Sequence, residues 1–260
     1  MILDELAAHA RERVAAARAR VPLEEIRAQA EALPRGDFRF EKAIAGKGTA
    51  FICEIKKASP SRGVIDPQFD YIGIAGQYEE AGADCISVLT EPKWFLGSDD
   101  IFRAVRLTVD APMLRKDFTV DAYQIYEARV LGADAVLLIC ALLDTGTLRE
   151  YLTICDRLGL SALVETHDEA EMQSAVAAGA RLIGVNNRNL RDFSVDLGNA
   201  ARLRAGAPEG TIFVAESGVS CPEDAAKLRQ AGADAILVGE YLMRSPDKQG
   251  ALQALREAAK

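Results

Sequence analysis

The feature that most constrains this chain is a near-repeat. The segments Ala81-Gly-Ala-Asp-Cys-Ile-Ser-Val-Leu89, Leu131-Gly-Ala-Asp-Ala-Val-Leu-Leu-Ile139, Ala178-Gly-Ala-Arg-Leu-Ile-Gly-Val185 and Ala231-Gly-Ala-Asp-Ala-Ile-Leu-Val238 echo one another. In each copy an Ala-rich, helix-like stretch meets a run of β-branched and aliphatic residues at a glycine, at positions 82, 132, 179 and 232. Glycine takes the left-handed conformation that ends a helix without steric cost, so each copy reads as a helix-to-strand joint. The glycines stand 50, 47 and 53 residues apart. That is about twice the length of one strand-plus-helix unit, so a further strand is expected in each gap.

Four mostly apolar runs supply those strands, over residues 50–55, 111–116, 160–165 and 211–216. Together with the echo they make eight strands whose starts fall on average about 26 residues apart, which fits a strand, a helix and two short loops. Helices are predicted over 70–81, 121–131, 144–158 and 222–231, the last opening on Pro222, a residue suited to a first helical turn. Eight alternations favour a closed (β/α)8 TIM barrel over an open doubly wound sheet. Residues 3–19 and 22–33 read as two amphipathic helices before a break at Pro34 and Gly36. They predict an N-terminal helical extension, residues 1–47, packed on a single barrel domain spanning 1–260.

Charge and composition remove several function classes. Thirty-one Lys and Arg against thirty-nine Asp and Glu give a net charge of −8, which argues against nucleic acid or an anionic membrane as a partner. The longest apolar stretch, near residues 135–143, is far short of the roughly 20 residues that span a bilayer. The N-terminus lacks an apolar signal region and carries Asp4, Glu5 and Glu12, so a cytoplasmic location is expected. Five cysteines without a C-x-x-C pair predict free thiols, and with only His9 and His167 a zinc cage is not expected. The chain also lacks a G-x-S-x-G elbow, a P-loop and a G-x-G-x-x-G fingerprint, which lowers the case for an esterase, an NTPase or a dinucleotide enzyme.

Barrel enzymes carry their chemistry at the C-terminal ends of the strands. Strand one ends Glu54-Ile-Lys56, and the period-two alternation of a strand points Glu54 and Lys56 to one face. Strand three ends with Lys116, strand five with Glu165, strand six with Asn186, strand seven with Glu216 and strand eight with Gly239. A lone charge at a strand end is as readily a cap or a structural ion pair, but two lysines and three carboxylates converging on one mouth suit proton transfer. Neighbouring lysines are expected to lower each other's pKa and burial to raise that of a glutamate. Asp84, Asp134 and Asp234 start their strands and so face the opposite end, where a structural role is expected. Ser217-Gly218 and Gly239-Glu240 stand in the two loops that grip phosphate in many barrels, and Lys56 could add a positive charge to that grip.

The motifs Glu54-Ile-Lys-Lys-Ala-Ser-Pro-Ser61, Leu114-Arg-Lys-Asp-Phe118, Leu163-Val-Glu-Thr-His167, Ile183-Gly-Val-Asn-Asn-Arg-Asn-Leu190, Ala215-Glu-Ser-Gly-Val219 and Leu237-Val-Gly-Glu240 resemble, in order, the signatures of the indole-3-glycerol-phosphate synthase family. The resemblance covers essentially the whole chain. It implies a small-molecule phosphosugar substrate, 1-(o-carboxyphenylamino)-1-deoxyribulose 5-phosphate, decarboxylated, closed and dehydrated in tryptophan biosynthesis without metal or organic cofactor. On that resemblance Lys116 is the general acid and Lys56 contacts the substrate carboxylate. Glu165 and Glu54 are the acid–base carboxylates, with the dehydration base left open between them. Asn186 and Glu216 orient the substrate, and Arg188 supports Asn186 or its loop. Ser217, Gly218, Gly239 and Glu240, the last through its backbone, hold the phosphate, with Ser59 nearby. Phe95 and Phe118 stand where the family packs the anthranilate ring. The stretch 57–70 is long enough for a lid, and a monofunctional monomer is expected. The rival readings are another phosphosugar barrel, such as a phosphoribosylanthranilate isomerase, which would not need the Glu54/Lys56 pair with Lys116, and a non-catalytic phosphometabolite-binding barrel.

Overall fold

A computed structural model describes residues 2–46, 48–189 and 192–260. Eight parallel strands, β1 (Ala50–Ile55), β2 (Cys85–Leu89), β3 (Met113–Lys116), β4 (Ala135–Ile139), β5 (Ser161–Thr166), β6 (Leu182–Asn186), β7 (Ile212–Glu216) and β8 (Ala235–Val238), close into a barrel in chain order. Closure is by β1 against β8, with Ala50 opposite Ala235 and Cys53 opposite Val238. All eight strands and the alternation expected from the echo are present, and Gly82, Gly132, Gly179 and Gly232 all have φ between 76° and 92°.

Some boundaries differ from the sequence reading. Strand β3 starts at Met113 rather than 111, because Pro112 has no N–H for a ladder. Lys56 and Gly239 lie one residue past the ends of β1 and β8. The segment from 57 to 70 is folded as a short antiparallel ladder, Ala58–Ser59 against Gly63–Val64, closed by hydrogen bonds from Ile65 and Asp66 N–H to the Lys57 carbonyl.

Alternation along each strand separates two cores. Ile52, Leu114, Leu163, Leu182, Val214 and Leu237 point inward and fill the barrel, whereas Phe51, Met113, Val164, Ile183, Phe213 and Ile236 point outward to the helices. The short helix Arg39–Ile44 plugs the barrel floor with Phe40 and Ile44, both fully buried. It went unremarked in the sequence because six residues show no clear periodicity. Ahead of it run α1 (Ile2–Arg20) and α2 (Leu23–Ala32), the two helices expected.

The echo aspartates hold the floor end together. Asp84 Oδ2 accepts from Phe51 N–H at 2.8 Å and from Arg256, Asp134 Oδ2 from Met113 N–H at 2.9 Å and Arg106, and Asp234 Oδ2 from Phe213 N–H at 2.8 Å. Each carboxylate therefore ties the start of its own strand to the start of the strand before it. The third echo carries Arg181 instead, which pairs with Glu41 and Asp156.

Candidate active site

The inward rows of β1, β3, β5 and β7 each end in a charged residue at the open mouth. Two positions beyond Ile52 comes Glu54, beyond Leu114 comes Lys116, beyond Leu163 comes Glu165, and beyond Val214 comes Glu216. Together they line a cavity of about 840 Å³, and every site residue expected from the sequence lies on its wall.

At the centre Lys116 Nζ lies 3.2 Å from Glu216 Oε2 and 3.5 Å from Glu165 Oε2. Lys56 Nζ lies 2.5 Å from Glu54 Oε2. Glu54, Glu165 and Glu216 are all buried, so two lysines stand among three carboxylates away from water. The expected depression of the lysine pKa is not what this geometry gives. Burial works against the Lys116 charge, but Glu216, Glu165 and Glu54 outweigh it and push its pKa up. Two lysines lower each other only where cations dominate, and here carboxylates do.

The carboxylates diverge. Glu216 is pushed up to about 7, by burial first and by the neighbouring Glu165 charge, against the pull of Lys116. Beyond the ion pair with Lys116, neither of its oxygens has a hydrogen-bond partner among the described residues. Glu165 is held down at about 2, since Lys116, His167 and Asn186 offset its burial. Glu54 also falls below the usual carboxylate range, where Lys56 and Lys116 overcome desolvation.

Glycines make room for these groups. A Cβ at Gly184 in β6 would lie 2.1 Å from Glu216 Oε1, and one at Gly239 would lie 2.3 Å from Glu54 Oε2. Ser217 and Gly218 both take the left-handed conformation, with φ of 67° and 95°, so the chain turns sharply over the mouth after β7. The Glu240 carboxylate is engaged by Arg62 Nε and Arg244 Nε, each at 3.1 Å. Asn186 Oδ1 accepts from the Arg188 N–H at 3.0 Å, and Arg188 Nη1 donates to the Phe193 carbonyl at 3.1 Å. Ser59 Oγ lies 3.4 Å from Ser61 Oγ. Leu190, the last residue of its motif, lies outside the described residues.

Phe95 and Phe118 form an aromatic pair at the opposite side of the mouth, with ring centroids 6.0 Å apart. Buried Glu91 sets the Phe95 loop by accepting from the N–H groups of Lys93, Trp94 and Phe95. Sequence reasoning missed this carboxylate, and it missed Ile2 and Leu6 of α1, which also line the cavity. It also passed over His167, whose Nε2 lies 3.2 Å from Glu165 Oε1, although its period-two spacing from Glu165 was the signal used for Glu54 and Lys56. Among the described residues no group of three or more His, Cys, Asp or Glu side chains is arranged to hold a metal ion, and no helix is long and apolar enough to cross a membrane.

Comparison with known proteins bears on this site. The family model for indole-3-glycerol phosphate synthase matches residues 3–255. A relative of that description from Ruminiclostridium cellulolyticum is 54% identical over 260 residues, covering all of both chains. One from Leuconostoc mesenteroides is 48% identical over 259 residues, covering 98% of this chain and 99% of the relative. Among solved structures, 3-hexulose-6-phosphate synthase superposes with a TM-score of 0.63 at 18% identity, over 81% of this chain and 99% of that one. Thiamine phosphate pyrophosphorylase from Pyrococcus furiosus gives 0.61 at 17% identity, over 81% and 95%. At that identity the two structures share the barrel alone. Family model and full-length relatives agree: the chain belongs to the indole-3-glycerol phosphate synthase family, carboxy-lyases of tryptophan biosynthesis.

Proposed function

We propose that the cavity binds 1-(o-carboxyphenylamino)-1-deoxyribulose 5-phosphate with its phosphate against Ser217, Gly218, Gly239 and Glu240 and its aromatic ring packed against Phe95 and Phe118. The ribulose carbonyl then lies over Lys116. The observation that carries this reading is the position of Lys116 Nζ between Glu165 and Glu216, at the base of a cavity with small-residue loops on one side and aromatic rings on the other.

Lys116, kept protonated by its carboxylate neighbours, donates to the carbonyl oxygen as the ring carbon attacks it. Lys56 faces the substrate carboxylate and helps hold it until carbon dioxide leaves. The carboxylates Glu165 and Glu54 serve the proton transfers of dehydration, while carbon dioxide leaves as its bonding electrons restore the aromatic ring. Asn186, Arg188 and Glu216 orient the sugar chain, with Ser59 at the phosphate edge. Holding the ring carbon near the carbonyl contributes on the order of several kcal/mol to lowering the barrier. The catalytic unit is one domain with residues 1–47 as its helical extension, acting as a monomer in the cytoplasm and without a cofactor.

The test is to mix purified, folded protein with the substrate and follow indole fluorescence. Product is expected from the parent protein and not from Lys116→Ala, whose affinity for inorganic phosphate should be unchanged. A folded parent that forms no product, or a Lys116→Ala variant of normal turnover, would overturn the reading.

A further inference from the structure

Behind Glu165, off the wall of the cavity, sits a side chain to which no role has been given. His167 Nε2 lies 3.2 Å from Glu165 Oε1 and its Nδ1 lies 3.0 Å from Glu171 Oε2. Glu171 Oε2 also accepts from the His167 backbone N–H at 2.8 Å, and Asn199 Nδ2 donates to the His167 carbonyl at 3.1 Å. The ring therefore stands between two carboxylates, hydrogen-bonded to Glu171 through Nδ1 and at ion-pair distance from Glu165 through Nε2, where among the described residues no aligned hydrogen bond forms. With its backbone fixed on both sides, the arrangement suits an imidazolium.

The consequence concerns the two glutamates that share Lys116. Lys56 is taken by Glu54, which leaves Lys116 as the cation between Glu165 and Glu216. Two buried carboxylates around one ammonium do not ionise equally, because the second charge meets the first in a medium of low polarity. Which of them keeps its proton depends on what else each one touches. Among the described residues Glu165 has the His167 ring at 3.2 Å and Asn186 on its far side, whereas Glu216 has no partner beyond Lys116 and lies beside Gly184, which offers no side chain at all.

We propose that His167 is a positioning residue that makes these two glutamates unlike, holding Glu165 ionised and aimed at Lys116 while Glu216 is left to carry the proton. This rests on the assignment of Glu165 as an acid–base carboxylate. A pair of titratable groups driven apart by their surroundings divides base from acid, so His167 gives Glu165 the role of base and suits Glu216 to donate a hydrogen bond to the sugar. The His167 pKa, raised to about 10 by Glu165 and Glu171 against the cost of burial, agrees with a ring that stays charged at neutral pH. The groups facing this pair from neighbouring elements are Lys116 from β3, Glu54 from β1, Glu216 from β7, Asn186 from β6, and Cys140 and Asp168 from the adjoining loops.

The test is the pH profile of kcat and KM for the parent, His167→Gln, Glu171→Gln and Glu165→Gln, each checked for a normal thermal midpoint. His167→Gln keeps a hydrogen-bond donor and loses the charge. Its acid limb should move up by about one pH unit or more, and kcat at pH 7 should fall about tenfold, with KM within about threefold of the parent. Glu171→Gln, which does not touch Glu165, should move the limb the same way by less, and it carries the test if His167→Gln fails to fold. Profiles that superimpose on the parent after scaling, with Glu165→Gln inactive, would overturn the role of His167 alone. Normal turnover by Glu165→Gln would instead remove the assignment of Glu165 and the inference with it.

Discussion

Arg13 and Asp117 form a two-pronged ion pair, Nη2 to Oδ1 at 2.6 Å and Nη1 to Oδ2 at 3.0 Å, that joins helix α1 to the residue directly after Lys116. Asp117 is buried, and its Oδ2 also accepts from Thr90 Oγ1 at 2.6 Å. One helical turn earlier, His9 Nδ1 lies 3.1 Å from Glu91, the carboxylate that sets the Phe95 loop. The N-terminal helix thus grips the two loops that carry Phe95 and Phe118. Arg13→Met leaves the Asp117 carboxylate with Arg115 at 4.0 Å, Thr90 and the Phe118 N–H, and without its close cation. Chemical denaturation should report a loss of about 3 kcal/mol, with KM rising more than kcat falls because the ring site loosens.

Gly184→Ala should be far more damaging to activity than its size suggests. The new methyl group would stand 2.1 Å from Glu216 Oε1 and 3.1 Å from Leu163 Cδ1, so Glu216 must leave its place beside Lys116. A shift of about 1 Å in such a group lowers turnover by on the order of 100-fold. Steady-state kinetics with a parallel thermal melt separate this from unfolding, and normal kcat in the variant would show that Glu216 has freedom to move.

The two shifted glutamates make opposite contributions to stability as pH changes. Glu165, held at about 2 against an unfolded value of about 4.3, contributes fully above the unfolded value and loses that contribution as pH falls toward 2. Glu216, pushed up to about 7, contributes most below the unfolded value and loses it as pH rises from about 4 to about 7. Glu216→Gln removes only the second effect. The difference in unfolding midpoint, variant minus parent, should therefore be more positive at pH 8 than at pH 5, while turnover falls at both. A difference independent of pH would mean that Glu216 titrates as an ordinary carboxylate.

Asp134→Ala should affect stability without touching the chemistry. It removes the acceptor for Met113 N–H and the partner of Arg106 at the floor of the barrel, the end away from the mouth. Leaving that buried donor unpaired costs about 1–3 kcal/mol. The variant should unfold at lower denaturant with kcat and KM near those of the parent, and a changed KM would show that the floor and the mouth are coupled.

The barrel was legible because its regularities are local. The echo places a glycine at each helix end, and alternation along a strand sends Glu54, Lys116, Glu165 and Glu216 to one mouth. The length of Arg39–Ile44 hid the plug, and Pro112 shortened β3. What no local pattern carries is the state of a side chain that depends on neighbours distant in sequence. The rise in the Lys116 pKa needs Glu54, Glu165 and Glu216 from three other strands. The hold of α1 on the mouth needs Arg13 to meet a residue 104 positions away. Gly184 carries no signal of its own in the sequence, and the positions of Glu216 and Leu163 explain why no side chain fits there.

In the binding mode proposed above, the order of the strands around the barrel also divides the two ends of the substrate. Phe95, Phe118 and both lysines come from the segments bearing β1 to β4, whereas the loops carrying Ser217, Gly218, Gly239 and Glu240 follow β7 and β8. A molecule bound as proposed, with its ring at one end and its phosphate at the other, would span these halves and act as a brace across the seams where β4 meets β5 and β8 meets β1. Binding to the folded state alone raises resistance to unfolding by mass action. Inorganic phosphate, held by the β7 and β8 loops with Ser59 at its edge, reaches only the β8–β1 seam, so at equal occupancy the intact substrate should protect the closed ring against opening more than phosphate does.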